Sequence, residues 1–190
     1  MDHRIKRRKI GKWLLLSVAA ILVLSGLVWL LWYEGFLIPS WTRWKTYDET
    51  VDVNGEEVRI RLSKRKLSLI LDDQTLWKSD NRWRVADALF GDLDRDGGDE
   101  VVLLVWKQGS YGQYRPFWVE KNDKSWSQHI FIYQWDKESD QRMVPIWMSS
   151  RIGMKASSIY LDEDAVLHIT EPDGKESLWR WDSWGLTLIS

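Results

Sequence analysis

Phe90-Gly91-Asp92-Leu93-Asp94-Arg95-Asp96-Gly97-Gly98-Asp99-Glu100 runs straight into Val101-Val102-Leu103-Leu104-Val105-Trp106, and the fold hinges on that junction. Aspartates at alternate positions, then glycine and a further carboxylate, gather oxygen donors in one short loop. Such donors suit calcium, a hard ion that takes roughly six to eight oxygens from carboxylates, backbone carbonyls and water. The expected ligands are Asp92, Asp94, Asp96, the backbone carbonyl of Gly98, and Glu100. Gly97 falls where the chain must turn sharply, a conformation that glycine adopts without a Cβ penalty. The competing reading is a plain hairpin turn, because Asp and Gly dominate turns, but turn chemistry alone does not ask for three alternating carboxylates.

The flanks separate two kinds of aspartate loop. A helix–loop–helix site needs a bidentate Glu at the twelfth position, and here that position is Leu103, inside an apolar run rich in valine. Strand, aspartate loop, strand is instead the arrangement of FG-GAP or VCBS-type repeats. Val85-Ala86-Asp87-Ala88-Leu89-Phe90-Gly91-Asp92-Leu93-Asp94 resembles the start of one such repeat, a resemblance that covers residues 85–106 only. It implies a β-propeller-like fold and a structural calcium loop of the integrin-alpha type. Those repeats often place glycine fourth in the loop, where this chain has Arg95.

At 190 residues the chain suits one domain plus an appendage, and with no cysteine it has no disulfide framework, thiolate metal site or cysteine nucleophile. A net charge of −1 hides an asymmetry: residues 1–12 hold six of the 27 basic residues and one of the 28 acidic ones. The remaining body therefore carries about six more acidic than basic residues, which argues against nucleic acid as a partner.

The basic tail, residues 1–12, precedes an uncharged run from Trp13 to Tyr33, 21 residues long. As a helix this run measures about 31 Å, enough to cross a bilayer core. Trp13 at one end and Trp29, Trp32 and Tyr33 at the other match interfacial aromatic belts, and the basic cluster predicts a cytoplasmic N-terminus with the rest of the chain outside. A cleavable signal peptide would have a shorter apolar region of about 7–15 residues ending at small residues, so a retained single-pass anchor is the expectation. Residues 34–50 read as a connector in which Pro39 ends any preceding helix, and Trp41 and Trp44 face either the membrane surface or the underside of the domain that follows.

Residues 51–190 read as an extracytoplasmic, antiparallel all-β domain. Val58-Arg59-Ile60-Arg61-Leu62 and Leu67-Ser68-Leu69-Ile70-Leu71 alternate about a turn at residues 63–66, and 101–107 lacks alternation, as a strand buried on both faces would. Further strands are expected at 76–79, 83–89, 128–135, 142–148, 157–161, 166–170, 177–181 and 186–189, with Glu171-Pro172-Asp173-Gly174-Lys175 as a hairpin turn. About ten strands indicate a sandwich, barrel or propeller fragment. With one aspartate loop visible, an irregular sandwich or partial propeller is favoured over a propeller completed by self-association.

For catalysis the candidates are sparse. His129 and His168 lie in expected strands, and no nucleophile elbow, zinc-binding HExxH or phosphate-binding glycine motif occurs, so a non-enzymatic role in the cell envelope is expected. The alternatives are a module for cell-wall or exopolysaccharide glycans and, behind it, an envelope hydrolase. Tryptophan supplies the other chemistry: of 15 in the chain most should fill the core, with two or three exposed. Tyr111, Tyr114, Arg115 and Trp118, in the aromatic loop 109–118, are the expected contacts for an envelope protein or glycan.

Overall fold

The structure, a computed structural model, describes residues 2–121, 123–139 and 142–190, with residues 2–11 described by backbone alone. The chain forms two compact units, Met1–Pro39 and Ser40–Ser190.

The first unit is helix α1, Asp2–Tyr33, which begins well inside the basic tail rather than at Trp13. Its segment Lys12–Tyr33, 22 residues, is apolar after Lys12 with none of it buried, and at about 33 Å it is long enough to cross a membrane. The helix stops at Gly35, four residues before the proline. Phe36 N–H donates to Leu31 O at 2.9 Å and Gly35 N–H to Trp32 O at 3.1 Å, while Gly35 takes φ 74°. This pair of bonds about a left-handed glycine satisfies the last helical carbonyls and ends the helix without help from Pro39.

Among its described residues the second unit holds twelve strands. They are β1 (Tyr47–Val53), β2 (Glu56–Ser63), β3 (Lys66–Leu71), β4 (Gln74–Lys78), β5 (Arg84–Gly91), β6 (Glu100–Gln108), β7 (Trp126–Trp135), β8 (Met143–Met148), β9 (Ser158–Leu161), β10 (Val166–Thr170), β11 (Glu176–Asp182) and β12 (Gly185–Leu188). They make three antiparallel meanders of four strands each, sheet A (β1–β4), sheet B (β5–β8) and sheet C (β9–β12), and among the described residues no sheet closes into a barrel. Strand β1 starts inside the stretch read as connector. Its Asp48, Glu49 and Thr50 are exposed, so it lacks the apolar alternation that marks a strand in sequence.

Sheet B is the shared wall. On one side Val101, Leu103, Val105, Phe131 and Tyr133 join Val58, Ile60, Leu62, Leu67 and Leu69 of sheet A in a continuous core. Trp83 meets Phe131 edge-on at 4.8 Å and Trp77 meets Tyr133 at 5.4 Å. On the other side Val102, Leu104, Ile130 and Ile132 are also buried, as are Ile159, Leu167 and Ile169 of sheet C. Gln128 and Ala156 exchange two hydrogen bonds of 2.7 and 2.9 Å across that interface. Burial on both faces is why β6 reads as a continuous apolar run. The outer face of sheet A is charged, with Arg59 and Arg61 both held by Asp48 at 2.7 and 2.8 Å, as suits a face left to water.

Trp41 and Trp44 pack on this β-unit. Trp41 lies 5.7 Å from Trp106, and the Arg65 guanidinium sits 4.1 Å over the Trp44 ring.

Candidate metal centre and aromatic loop

The aspartate loop joins β5 to β6 at one end of the central sheet. Arg95 and Gly97 both adopt left-handed φ, 65° and 90°, a conformation that glycine takes without strain and arginine does not. The loop is pinned by its own carboxylates. Asp92 Oδ2 accepts from Gly97 N–H at 3.1 Å, Asp94 Oδ1 from Asp96 N–H at 3.1 Å, and Asp96 Oδ1 from Gly98 N–H at 2.8 Å. Glu100 Oε2 accepts from the N–H groups of Leu93 and Asp94 at 2.9 and 3.3 Å.

Those bonds leave other oxygens bare. Asp92, Asp94 and Glu100 each offer a carboxylate oxygen within 4.8 Å of the other two. Asp92 Oδ1 and Glu100 Oε1 are buried without a hydrogen-bond partner, and Glu100 as a whole is 0% exposed. A calcium ion bound at about 2.3–2.6 Å allows its ligand oxygens to lie up to about 5 Å apart, so the three converge closely enough to share one. A buried carboxylate with a bare oxygen needs a cation or a proton. Burial, then the charge of Asp94, pushes the Glu100 carboxyl up to about 7. Burial, then the charges of Asp96 and Asp92, raises Asp94 as well. Of the expected ligands the structure brings together Asp92, Asp94 and Glu100, while the Asp96 carboxylate is turned to the Gly98 amide.

Two braces were not legible in sequence. Asn54, in the β1–β2 turn, accepts from Asp99 N–H and donates its own N–H to Asp99 Oδ2, both at 2.7 Å, tying the loop to sheet A. The Arg95 guanidinium donates to Asp164 O in the β9–β10 turn, which ties it to sheet C. The loop thus touches all three sheets. Neither partner announces itself, since each lies tens of residues away.

The histidines are held differently. His129 is wholly buried, with Nε2 3.0 Å from Ser127 Oγ and Nδ1 3.0 Å from the Ser149 carbonyl, and burial depresses its pKa. His168 lies 2.9 Å from Asp162 and 3.3 Å from Glu176, which raise its pKa. Neither set combines serine, imidazole and carboxylate.

The aromatic loop leaves β6 and has a closed neck, where Gly109 N–H donates to Ser125 O at 2.9 Å. Gly112 lies so close to β8 that a Cβ would come 2.5 Å from the Met148 carbonyl oxygen. Tyr111 is half-buried and, with Pro116, Trp147 and Met148, lines a shallow groove of about 420 Å³, so it is less available than the sequence suggested. Tyr114, Phe117 and Trp118 are 79%, 94% and 71% exposed. Arg115 donates to Glu120 O at 2.8 Å. Because the exposed rings carry little packing, replacing Tyr114, Phe117 and Trp118 together with serine should change stability by no more than about 1 kcal/mol. Chemical denaturation of the variant checks this, and a loss of several kcal/mol would make the loop a lid on the core.

No protein family matches the chain, and no curated protein or solved structure is significantly similar to it.

Proposed function

We propose that the protein is a single-pass membrane protein of the cell envelope that displays a calcium-stabilised, non-catalytic β-domain outside the cytoplasm. The observation that carries the calcium reading is the pair of bare, buried oxygens on Asp92 and Glu100 meeting Asp94 at the end of the central sheet. A hard cation satisfies those oxygens and cancels their mutual repulsion. The strand–aspartate loop–strand arrangement and the four-stranded meanders support an FG-GAP or VCBS-like unit, since propeller blades have four strands. Calcium here is structural. Asp92, Asp94 and Glu100 would hold it, with affinity on the order of 0.1–1 mM as in other extracellular modules. Titration calorimetry of the full chain in detergent tests this: one site is expected, and Asp92→Asn with Asp94→Asn should abolish the heat. Heat unchanged in that variant would remove the ion from the account.

Anchoring rests on the exposed apolar segment Lys12–Tyr33, and orientation on the basic residues flanking its N-terminal end. Protease added to intact spheroplasts should digest the β-domain and spare the N-terminus. A domain protected until lysis would reverse the orientation.

A further inference from the structure

We infer that the corner Phe117-Trp118, with Tyr114 beside it, is a second membrane contact that dips into the lipid interface; this rests on the anchoring proposed above. Val119 N–H donates to Pro116 O at 3.1 Å, so Phe117 and Trp118 are the two corner residues of a β-turn. Turn corners ordinarily carry Gly, Asn, Asp or Ser, which favour such backbone and face water. Here they carry two of the largest apolar side chains, 94% and 71% exposed.

The rings also exclude a simple stacking platform. Phe117 and Trp118 meet edge to face, 4.9 Å apart at 83°, so they present no common plane on which a sugar face would lie. They form a convex wedge instead. Trp and Tyr concentrate at the headgroup level of bilayers, where an apolar body and a polar edge are both accommodated. Charge agrees with this partner: the loop exposes Arg115, Lys121 and Lys124 against Glu120, in a body that is otherwise acidic. Asp123, the remaining acid, accepts hydrogen bonds from Ser110 and Ser125 that lower its carboxyl to about 2 and keep it ionised, so the loop holds three basic residues against two acidic ones. Basic residues near a bilayer are drawn to anionic headgroups. The tether is short as well. Six residues separate the helix end at Tyr33 from the β-unit at Ser40, a reach of at most about 25 Å, so the domain stays near any bilayer the helix enters.

The absence of cysteine makes the test clean, because any introduced cysteine is unique. The full chain carrying Gln113→Cys, labelled with an environment-sensitive fluorophore, is reconstituted into vesicles of phosphatidylcholine and phosphatidylglycerol. Quenchers are placed either on the lipid chains or in the water. The expected result is a blue-shifted label at 113, quenched from the lipid, whereas a label at exposed Thr187→Cys is quenched only from water. Adding Phe117→Ser and Trp118→Ser should return the label at 113 to the behaviour of that at 187. A third label, Leu22→Cys, reports on the helix. Lipid quenching at 22 but not at 113 overturns the wedge and leaves the anchor standing; this is also the outcome for a loop built to hold a protein or glycan. No lipid quenching at 22 overturns the anchor and the wedge together.

Discussion

Calcium at about 10 mM raises the melting temperature of the full chain in detergent by about 3–10 °C near pH 8, the shift expected for a domain of this size when ligand exceeds a Kd of about 0.1–1 mM by about 10- to 100-fold and contributes about 1.4–2.7 kcal/mol. The effect is pH-dependent with a definite sign. Without an ion, the Glu100 carboxyl sits at about 7 in the folded state against 4.5 for the ordinary side chain. A raised acid favours folding where it is protonated, so its contribution is complete below 4.5 and is lost as pH rises through about 7. The ion-free domain should therefore weaken on going from acid to neutral pH. Calcium needs the deprotonated form, so below about pH 7 its affinity should fall about tenfold per pH unit and its stabilisation should shrink. Glu100→Gln separates the causes. The amide keeps an acceptor for Leu93 and Asp94 N–H but carries no charge, so the variant should melt higher than the parent at pH 8 without calcium and gain little from adding it. If calcium moves parent and variant equally, the ion binds elsewhere and the loop is a turn only.

The sequence exposed what is local. Alternation in 58–62 and 67–71 located the β2–β3 hairpin, whose turn residues Lys64 and Arg65 take φ 51° and 63°. The run 171–175 closed as a hairpin in which Glu171 N–H donates to Lys175 O at 2.7 Å. Strand β6 is buried on both faces because two sheets flank it, and its unbroken apolar sequence is the trace of that position. What stayed hidden was non-local or set by an edge. The outer strand β1 keeps only Val53 fully buried, so its sequence looks like a linker. The aspartate loop is visible as three aspartates and Glu100, yet its supports, Asn54 and Asp164, are contacts between turns of different sheets. Tyr111 and Tyr114 look equivalent in sequence. Both line the groove beside β8, where Gly112 approaches Met148 closely, yet Tyr111 is half-buried and Tyr114 exposed.

Leu103→Ala and Leu104→Ala should each cost about 2–5 kcal/mol, a large share of the roughly 5–15 kcal/mol typical of a whole domain. The two leucines are adjacent on β6, both wholly buried, and point to opposite faces of sheet B. Leu103 lies opposite Phe131 in the core shared with sheet A, and Leu104 opposite Ile130 on the side of sheet C. Each truncation opens a cavity against a different neighbour, and the flanking sheets cannot close it without breaking their own packing. Because β6 belongs to both interfaces, and because the aspartate loop that precedes it is bonded to turns of both outer sheets, loss on either side should unfold all three sheets together. Fluorotryptophan incorporation with ¹⁹F NMR during denaturation reads the two sides at once, through Trp83 in the core shared with sheet A and Trp179 in sheet C. In both variants the two signals should disappear at the same denaturant concentration, lower than in the parent. Trp179 melting first in Leu104→Ala while Trp83 persists would show that sheet C folds as a separate layer, and the aspartate loop would then support only the two sheets that remain.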